Sequence, residues 1–251
     1  MRTGGLGDRL GRHLDPESRY GLRLTLFAVA VLLAAVPFGL LVDQVVRSGP
    51  LTRADTSAAE HLHDWVRRSP GVVGPLRVVT FLGTPAWLAG VVAATAAYAL
   101  ARRRRRLALL VVLTALVGGA LNLGVKMAVD RERPEMHPPT ATAGGNSFPS
   151  GHATSSTVSY GSVLLVVLPA VPRRARRGAV AGVVVLVAAI GASRLALGVH
   201  YLSDVLGGFA LGSAWLAAST AAFSVWRVER GGRPVDAIEG LEPDAAVDLD
   251  P

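Results

Sequence analysis

Six apolar runs of bilayer-crossing length dominate this sequence, and they point to a membrane helix bundle before any single residue is considered. They cover residues 24–42, 85–101, 107–125, 154–171, 178–197 and 205–226. A helix needs about 17–25 apolar residues to cross the hydrocarbon core, where backbone polar groups must be satisfied within the segment itself. Only 18% of the residues are charged, against about a quarter in an ordinary soluble domain. Residues 72–82 are also apolar and read either as a lead-in to the second run or as an interfacial segment. The first run has a basic lead, Arg19 and Arg23, but no small-x-small cleavage site follows it, so a retained span is expected. The expected fold is therefore all-α: one polytopic bundle of about six transmembrane helices over residues 24–226, with an N-terminal segment, 1–23, and a tail, 227–251.

The arginines orient that bundle. Arg2, Arg9, Arg12, Arg19 and Arg23 precede the first run, and Arg102 to Arg106 follow the second. Arg173, Arg174, Arg176 and Arg177 follow the fourth, and Arg227, Arg230 and Arg233 follow the sixth. These are alternate connections, so the positive-inside rule places them, and both termini, in the cytoplasm. The formal charge of +8 raises the question of nucleic acid. The charges fall in short clusters between apolar runs with no aromatic-basic surface pattern, so the expected partner is the lipid bilayer and not nucleic acid. The tail holds Asp236, Glu239, Glu242, Asp244, Asp248 and Asp250 with few large apolar residues and is expected to be disordered. The chain has no cysteine, which excludes disulfides, thiolate catalysis and Cys-ligated zinc. Nothing in the sequence sets an oligomeric state.

The opposite face receives residues 43–84, the 126–151 connection and a short turn around His200. The first of these is expected to contain an interfacial helix, with His61 and His63 solvated or facing headgroups. Three polar patches at the predicted outer ends of spans interrupt otherwise apolar sequence: KMAVDRERP from Lys126 to Pro134, NSFPSGH from Asn146 to His152, and SRLALGVHYLSD from Ser193 to Asp204. Ionisable groups at membrane depth are costly and carry function by default. Lys126, the single lysine among 26 basic residues, joins Arg133 and Arg194 as cations without a comparable acidic cluster. That combination suits a phosphate, whose oxygens match guanidinium forks. Pro149 and Ser150 read as a helix start whose free N–H groups attract anions, and Gly151 allows a close backbone approach. Asn146 and Ser147 read as loop. His200 and Asp204 are four apart and would share a helix face, the carboxylate fixing the ring tautomer. Two histidines beside a phosphate cradle suggest that one attacks phosphorus while the other protonates the leaving oxygen. No metal or other cofactor is needed where cations already line the site. Arg131 reads as a span-end anchor, with Asp130 and Glu132 as loop partners of the arginines.

These patches resemble the three signature motifs of the type 2 phosphatidic acid phosphatase superfamily: Lys, six residues, Arg-Pro; then Pro-Ser-Gly-His; then Ser-Arg, five residues, His, three residues, Asp. Lys126 to Arg133-Pro134, Pro149 to His152, and Ser193-Arg194 with His200 and Asp204 match every position and both spacings. The resemblance implies that His200 is the nucleophile, forming a phosphohistidine and oriented by Asp204, and that His152 is the general acid. It implies that Lys126, Arg133, Ser150, Gly151 and Arg194 hold the phosphoryl oxygens. The expected activity is metal-independent hydrolysis of a lipid phosphate monoester or diphosphate at the extracytoplasmic face. Candidate substrates are polyprenyl diphosphate, phosphatidate and phosphatidylglycerophosphate. A lipid-linked phosphotransferase, or a non-catalytic transporter or scaffold, is the alternative. Transporters are expected to carry ionisable groups near the midplane, and the interiors of the third to sixth runs are nearly free of them.

Overall fold

The computed structural model of the chain describes residues 21–136, 141, 143–229, 235 and 240–241. The N-terminal segment and most of the acidic tail lie outside them. The described residues are almost wholly helical. Helix α1 (Gly21–Val46) is followed by α2 (Pro50–Arg68) and by a 3-10 turn that leads into α3 (Val73–Phe81). Then come α4 (Pro85–Ala101), α5 (Arg105–Val129), α6 (Gly151–Val167), α7 (Arg173–Ala196) and α8 (Leu202–Glu229).

Four of these helices are long and apolar enough to cross a membrane: α5, α6 with its extension to Ala170, α7, and α8 as far as Arg227. Residues Pro70–Phe81 and Pro85–Ala101 are together long and apolar enough for a fifth crossing, bent by 42° at the break, or for a re-entrant pair. The break has a local cause: Thr84 precedes Pro85 and is extended, with φ −69° and ψ 147°, because a residue before proline is pushed out of the helical region. Within residues 72–82, Val73–Phe81 are thus helical and set at an angle to the second run. The first expected crossing falls on α1, which is 26 residues long. The protein is an integral membrane helix bundle.

Helix α6 is the central element. Half of its apolar window is buried, against 28% for α5, α7 and α8, and it packs against α4, α5, α7 and α8. Small residues allow the closest of these contacts. A Cβ at Gly208 of α8 would lie 2.7 Å from the Ser150 carbonyl oxygen, and one at Gly212 would lie 2.9 Å from that of Thr154. Outward-facing positions remain apolar: Leu109, Leu113, Leu116 and Leu123 of α5 are all exposed at helical spacing, as lipid contact requires and water does not.

At the arginine-rich end, Ala99, Leu107, Val111, Val166 and Phe223 form a compact cluster. Arg106 stacks 4.4 Å over the Trp226 ring. Two tail residues join this cluster, while the acidic residues on which the expected disorder rests lie outside the described residues. Val235 and Leu241 are 3% and 2% exposed, and the Leu241 N–H donates to the Leu165 carbonyl at 2.9 Å. An isolated valine and leucine in a polar stretch give no periodic signal, so their burial is set by the receiving surface.

The expected interfacial helix is α2. Its buried face, Asp55, Ala59, His63 and Val66, repeats at helical spacing and rests on α7 and α8 at the motif end. His61 is exposed and its Nδ1 lies 2.7 Å from the Ser57 carbonyl oxygen. His63 departs from expectation: it is 4% exposed and packs against Gly198, just ahead of His200.

Candidate active site

Three chain segments converge at the motif end, each positioned by a local device. Helix α5 stops at Asp130, which takes a left-handed conformation (φ 48°) and whose N–H caps back to the Lys126 carbonyl. Aspartate tolerates this region better than most residues, and the turn sends Arg131 and Arg133 back over the bundle. Helix α6 starts at Gly151, with Ser150 extended ahead of it and the Ser150 N–H bonded to the Asp204 carbonyl at 2.9 Å. Asn122, buried in α5, donates to Thr154 Oγ1 at 3.0 Å and fixes that helix start from the side. Between α7 and α8, the turn 197–201 carries His200, with Gly198 at φ 71°, a conformation that glycine adopts without penalty.

His200 is 2% exposed and Asp204 0%. Their pairing is as expected, Nδ1 to Oδ2 at 3.2 Å, but the helix geometry is not. His200 lies ahead of α8, and Asp204 sits in the first turn of that helix, reaching back to accept the Tyr201 N–H at 2.8 Å. The ring's other nitrogen, Nε2, is 3.1 Å from Arg133 Nη1. A carboxylate only accepts and a guanidinium only donates, so the neutral ring carries its proton on Nδ1 and presents a lone pair at Nε2. Burial pushes the ring down from its ordinary 6.5 to about 4; the Asp204 carboxylate opposes the shift, and Arg133 and Arg194 reinforce it. At neutral pH the Nε2 lone pair is therefore free of a proton.

Two of the cations, Arg133 and Arg194, bear on this ring. Arg133 also donates to the carbonyls of Val199 at 2.7 Å, Gly145 at 2.9 Å and Gly144 at 3.1 Å, which ties the 144–146 loop to the histidine turn. Lys126 Nζ donates to the Asn146 carbonyl, while Asn146 Nδ2 returns a bond to the Lys126 carbonyl at 2.7 Å. Arg194, in the last turn of α7, is 8% exposed and donates from Nη1 to Thr80 Oγ1 at 3.0 Å. Arg194, His200 and Arg133 are all close enough to bear electrostatically on the His152 ring. Ser150 Oγ, His152 Nε2 and Arg194 Nε, one or more from each of the last two motifs, are buried polar atoms without a hydrogen-bond partner. Buried polar groups are rarely left so. A Cβ on Gly151 would meet only Asn122 Oδ1, at an ordinary 3.5 Å, so packing alone does not demand glycine there.

All eight residues singled out in the sequence thus belong to one end of the bundle. Others were not foreseen. Arg131 is no span-end anchor: it donates to Asp204 Oδ1 at 2.7 Å and to Asp55 Oδ2 at 3.0 Å. Ser147, read as loop, is fully buried and donates to Asp204 Oδ2. Thr80 and Asp55 come from α3 and α2, far from the motifs in sequence. The one available signal for Asp55 was an acidic residue on the face of an amphipathic helix that also carries Ala59, His63 and Val66. Among the described residues no group of three or more His, Cys, Asp or Glu could hold a metal ion.

A membrane bundle with a buried histidine, a partnered carboxylate and convergent cations defines a class of enzyme that handles anionic substrates within reach of the bilayer. Comparison with known proteins gives that class its family. The PAP2 superfamily model matches residues 107–227. The chain is 40% identical over 144 residues to decaprenylphosphoryl-5-phosphoribose phosphatase of Mycolicibacterium smegmatis, covering 55% of this chain and 72% of that protein. It is 30% identical over 149 residues to phosphatidylglycerophosphatase B of Bacillus subtilis, covering 58% and 72% respectively. Its fold matches the crystal structure of a transmembrane PAP2 type phosphatidylglycerolphosphate phosphatase from Bacillus subtilis. The TM-score there is 0.70, over 76% of this chain and 94% of that one, at 24% identity. The chain belongs to the PAP2 superfamily and is a membrane phosphatase of it.

Proposed function

We propose that this phosphatase removes a terminal phosphate from a lipid headgroup through a phosphohistidine on His200. The observation that carries the reading is a buried His200 whose Nε2 faces Arg133, together with three buried, partnerless polar atoms of the second and third motifs, Ser150 Oγ, His152 Nε2 and Arg194 Nε. A phosphoryl group would give Ser150 and Arg194 oxygens to bond, and its leaving oxygen would give His152 a partner. Arg133 and Lys126 add positive charge where the transition state spreads negative charge over the equatorial oxygens.

In the first step the Nε2 lone pair forms a bond to phosphorus as the bond to the leaving oxygen breaks, and His152 passes its proton to that oxygen. In the second, water attacks phosphorus, His152 takes a proton from it, and the N–P bond breaks to return neutral His200 and inorganic phosphate. Asp204 holds the Nδ1 proton throughout. The site's donors are cations and hydroxyls, which suit phosphoryl oxygens and not a divalent metal, so activity is expected to persist in EDTA.

The substrate class follows from the embedded site and from the names of two relatives. A decaprenylphosphoryl-phosphoribose and a phosphatidylglycerophosphate both end in a phosphate monoester joined through a polyol to a lipid phosphodiester. We take such a monoester as the first candidate, ahead of phosphatidate and polyprenyl diphosphate. Residues 24–226 form the catalytic unit, with residues 1–23 and 227–251 on the cytoplasmic side. Alternating arginine supports an extracytoplasmic position for the motif end.

The test is phosphate release by the purified protein from a panel of lipid monoesters and diphosphates, with His200→Ala and His152→Ala as controls and EDTA present. Release from a lipid monoester, lost in both variants and insensitive to EDTA, is expected. Full activity in His200→Ala, or abolition by EDTA, would overturn the mechanism.

A further inference from the structure

Asp55 stands outside all three motifs and outside the residues matched by the family model, yet its carboxylate is built into the site. It is 1% exposed. Its Oδ1 accepts the Ser203 N–H at 3.0 Å, one of the otherwise unsatisfied donors at the start of α8. Its Oδ2 accepts the Ser203 hydroxyl and, at 3.0 Å, Arg131 Nη2. The other prong of that guanidinium, Nη1, donates to Asp204 Oδ1 and to Ser203 Oγ, both at 2.7 Å. The Tyr201 ring lies under the fork, 4.1 Å from Cζ. One guanidinium thus joins two buried carboxylates, one of them the partner of His200.

The two oxygens of Asp204 are loaded differently. Oδ2 takes the Tyr201 N–H, the Ser147 hydroxyl and His200 Nδ1, whereas the bond recorded to Oδ1 from a charged group is the one from Arg131. Fixing Oδ1 sets the plane of the carboxylate and so the direction in which Oδ2 faces the imidazole. Without Arg131, a fully buried carboxylate would lose its counter-charge and would either rotate toward another donor or take up a proton. Either change releases the Nδ1 proton of His200 and with it the assignment of the lone pair to Nε2.

We infer that Asp55 and Arg131 are positioning residues for the reaction, holding Asp204 in the orientation and charge state that keep His200 a nucleophile. The inference rests on the phosphohistidine reading given above. Asp55 acts one step further back, by aiming the fork. A lysine at 131 is a single point charge and cannot bridge both carboxylates. Helix α2 therefore belongs to the machinery of the site: Asp55 holds the start of α8, and His63 packs on Gly198 at the other flank of the His200 turn.

The experiment compares Arg131→Gln, Arg131→Lys, Asp55→Asn and the Asp55→Asn/Arg131→Gln double variant with the unaltered protein in nanodiscs. Two readouts are taken: kcat and KM on a lipid phosphate monoester, and proton–nitrogen NMR of ring-labelled histidine. Arg131→Gln and Arg131→Lys should each lower kcat by about 10²-fold, the scale of an ångström-sized misplacement. KM should change by less than about threefold, because the phosphate cradle is untouched. The double variant should lose no more than Arg131→Gln, since both substitutions break one connected unit. The His200 Nδ1 proton resonance should shift or vanish. Unchanged kcat in Arg131→Gln, losses that add, or a raised KM with unchanged kcat would overturn the inference. Should Arg131→Gln fail to fold, the isosteric Asp55→Asn decides on the same two readouts. A shifted resonance in a protein whose His200→Ala variant still releases phosphate would refute the phosphohistidine reading, and of the inference would leave only the orienting of Asp204 and His200. An unshifted resonance with His200→Ala inactive would refute the positioning alone.

Discussion

Gly83 lies at the break between α3 and α4, and replacing it with alanine tests the place of His152 without touching any motif residue. A Cβ there would lie 2.8 Å from His152 Cδ2 and 2.5 Å from Ile190 Cγ2. Ordinary carbon contacts fall at about 3.5–4.0 Å, so the imidazole must retreat by about 0.7–1.2 Å. The same Cβ presses on Ile190, which is fully buried, so the clash cannot be relieved by moving toward that side. Displacing a reacting group by about 1 Å can cost about 10²-fold, which corresponds to about 2.7 kcal/mol of transition-state stabilisation. The loss should appear only where a proton must be delivered. On a lipid phosphate, whose leaving alkoxide needs protonation, kcat/KM should fall by about 10–10². On p-nitrophenyl phosphate, whose leaving group needs no proton, it should stay within about threefold. kcat/KM is the right measure because it reports phosphorylation and not the later hydrolysis. Equal losses on both substrates, or none on either, would refute the placement of His152 as general acid.

Three further outcomes follow from the same geometry. His200 is held at about 4, below the ordinary 6.5, so between those values the folded ring is neutral while the unfolded chain is protonated. Stability from this group is thus complete above about pH 6.5 and falls as the pH drops toward 4, and nitrogen NMR should show a mainly neutral ring over the upper part of that window, with its titration midpoint near the lower end. Arg133→Lys, which cannot reproduce bonds to Val199, Gly144, Gly145 and His200 together, should lower kcat/KM by about 10²-fold or more in steady-state assays. The chain has no cysteine, so single cysteines at Ser69 and Arg103 can report sidedness directly. In intact cells an impermeant maleimide should label the first and not the second.

Much of the architecture is legible because lipid imposes a simple code. Apolar runs mark crossings, arginines mark their ends, and the observed helices begin and end within a few residues of the expected positions. The pairing of His200 with Asp204 was readable from a spacing of four even though His200 precedes the helix, since a first-turn aspartate can reach back to the same place. What the sequence did not reveal depends on tertiary placement. Arg131 and Arg133 look alike in sequence, and only the left-handed turn at Asp130 separates their destinations. Asp55 meets Arg131 across 76 residues because α2 folds back over α7 and α8, a packing that no local pattern encodes. His63, Thr80 and Ser147 reach the site, or the turn beside it, by the same kind of long-range contact. Val235 and Leu241 likewise dock because a surface awaits them, not because the tail has any periodicity.

The central step is a covalent bond to one nitrogen. Rapid acid-free quenching during turnover of a phosphate-labelled lipid, followed by peptide mapping, would detect it. The account predicts label on His200, stable to alkali, labile to acid, and absent from His200→Ala. Label on Ser150 or any other residue, or turnover with no labelled protein under conditions that trap the first step, would contradict it.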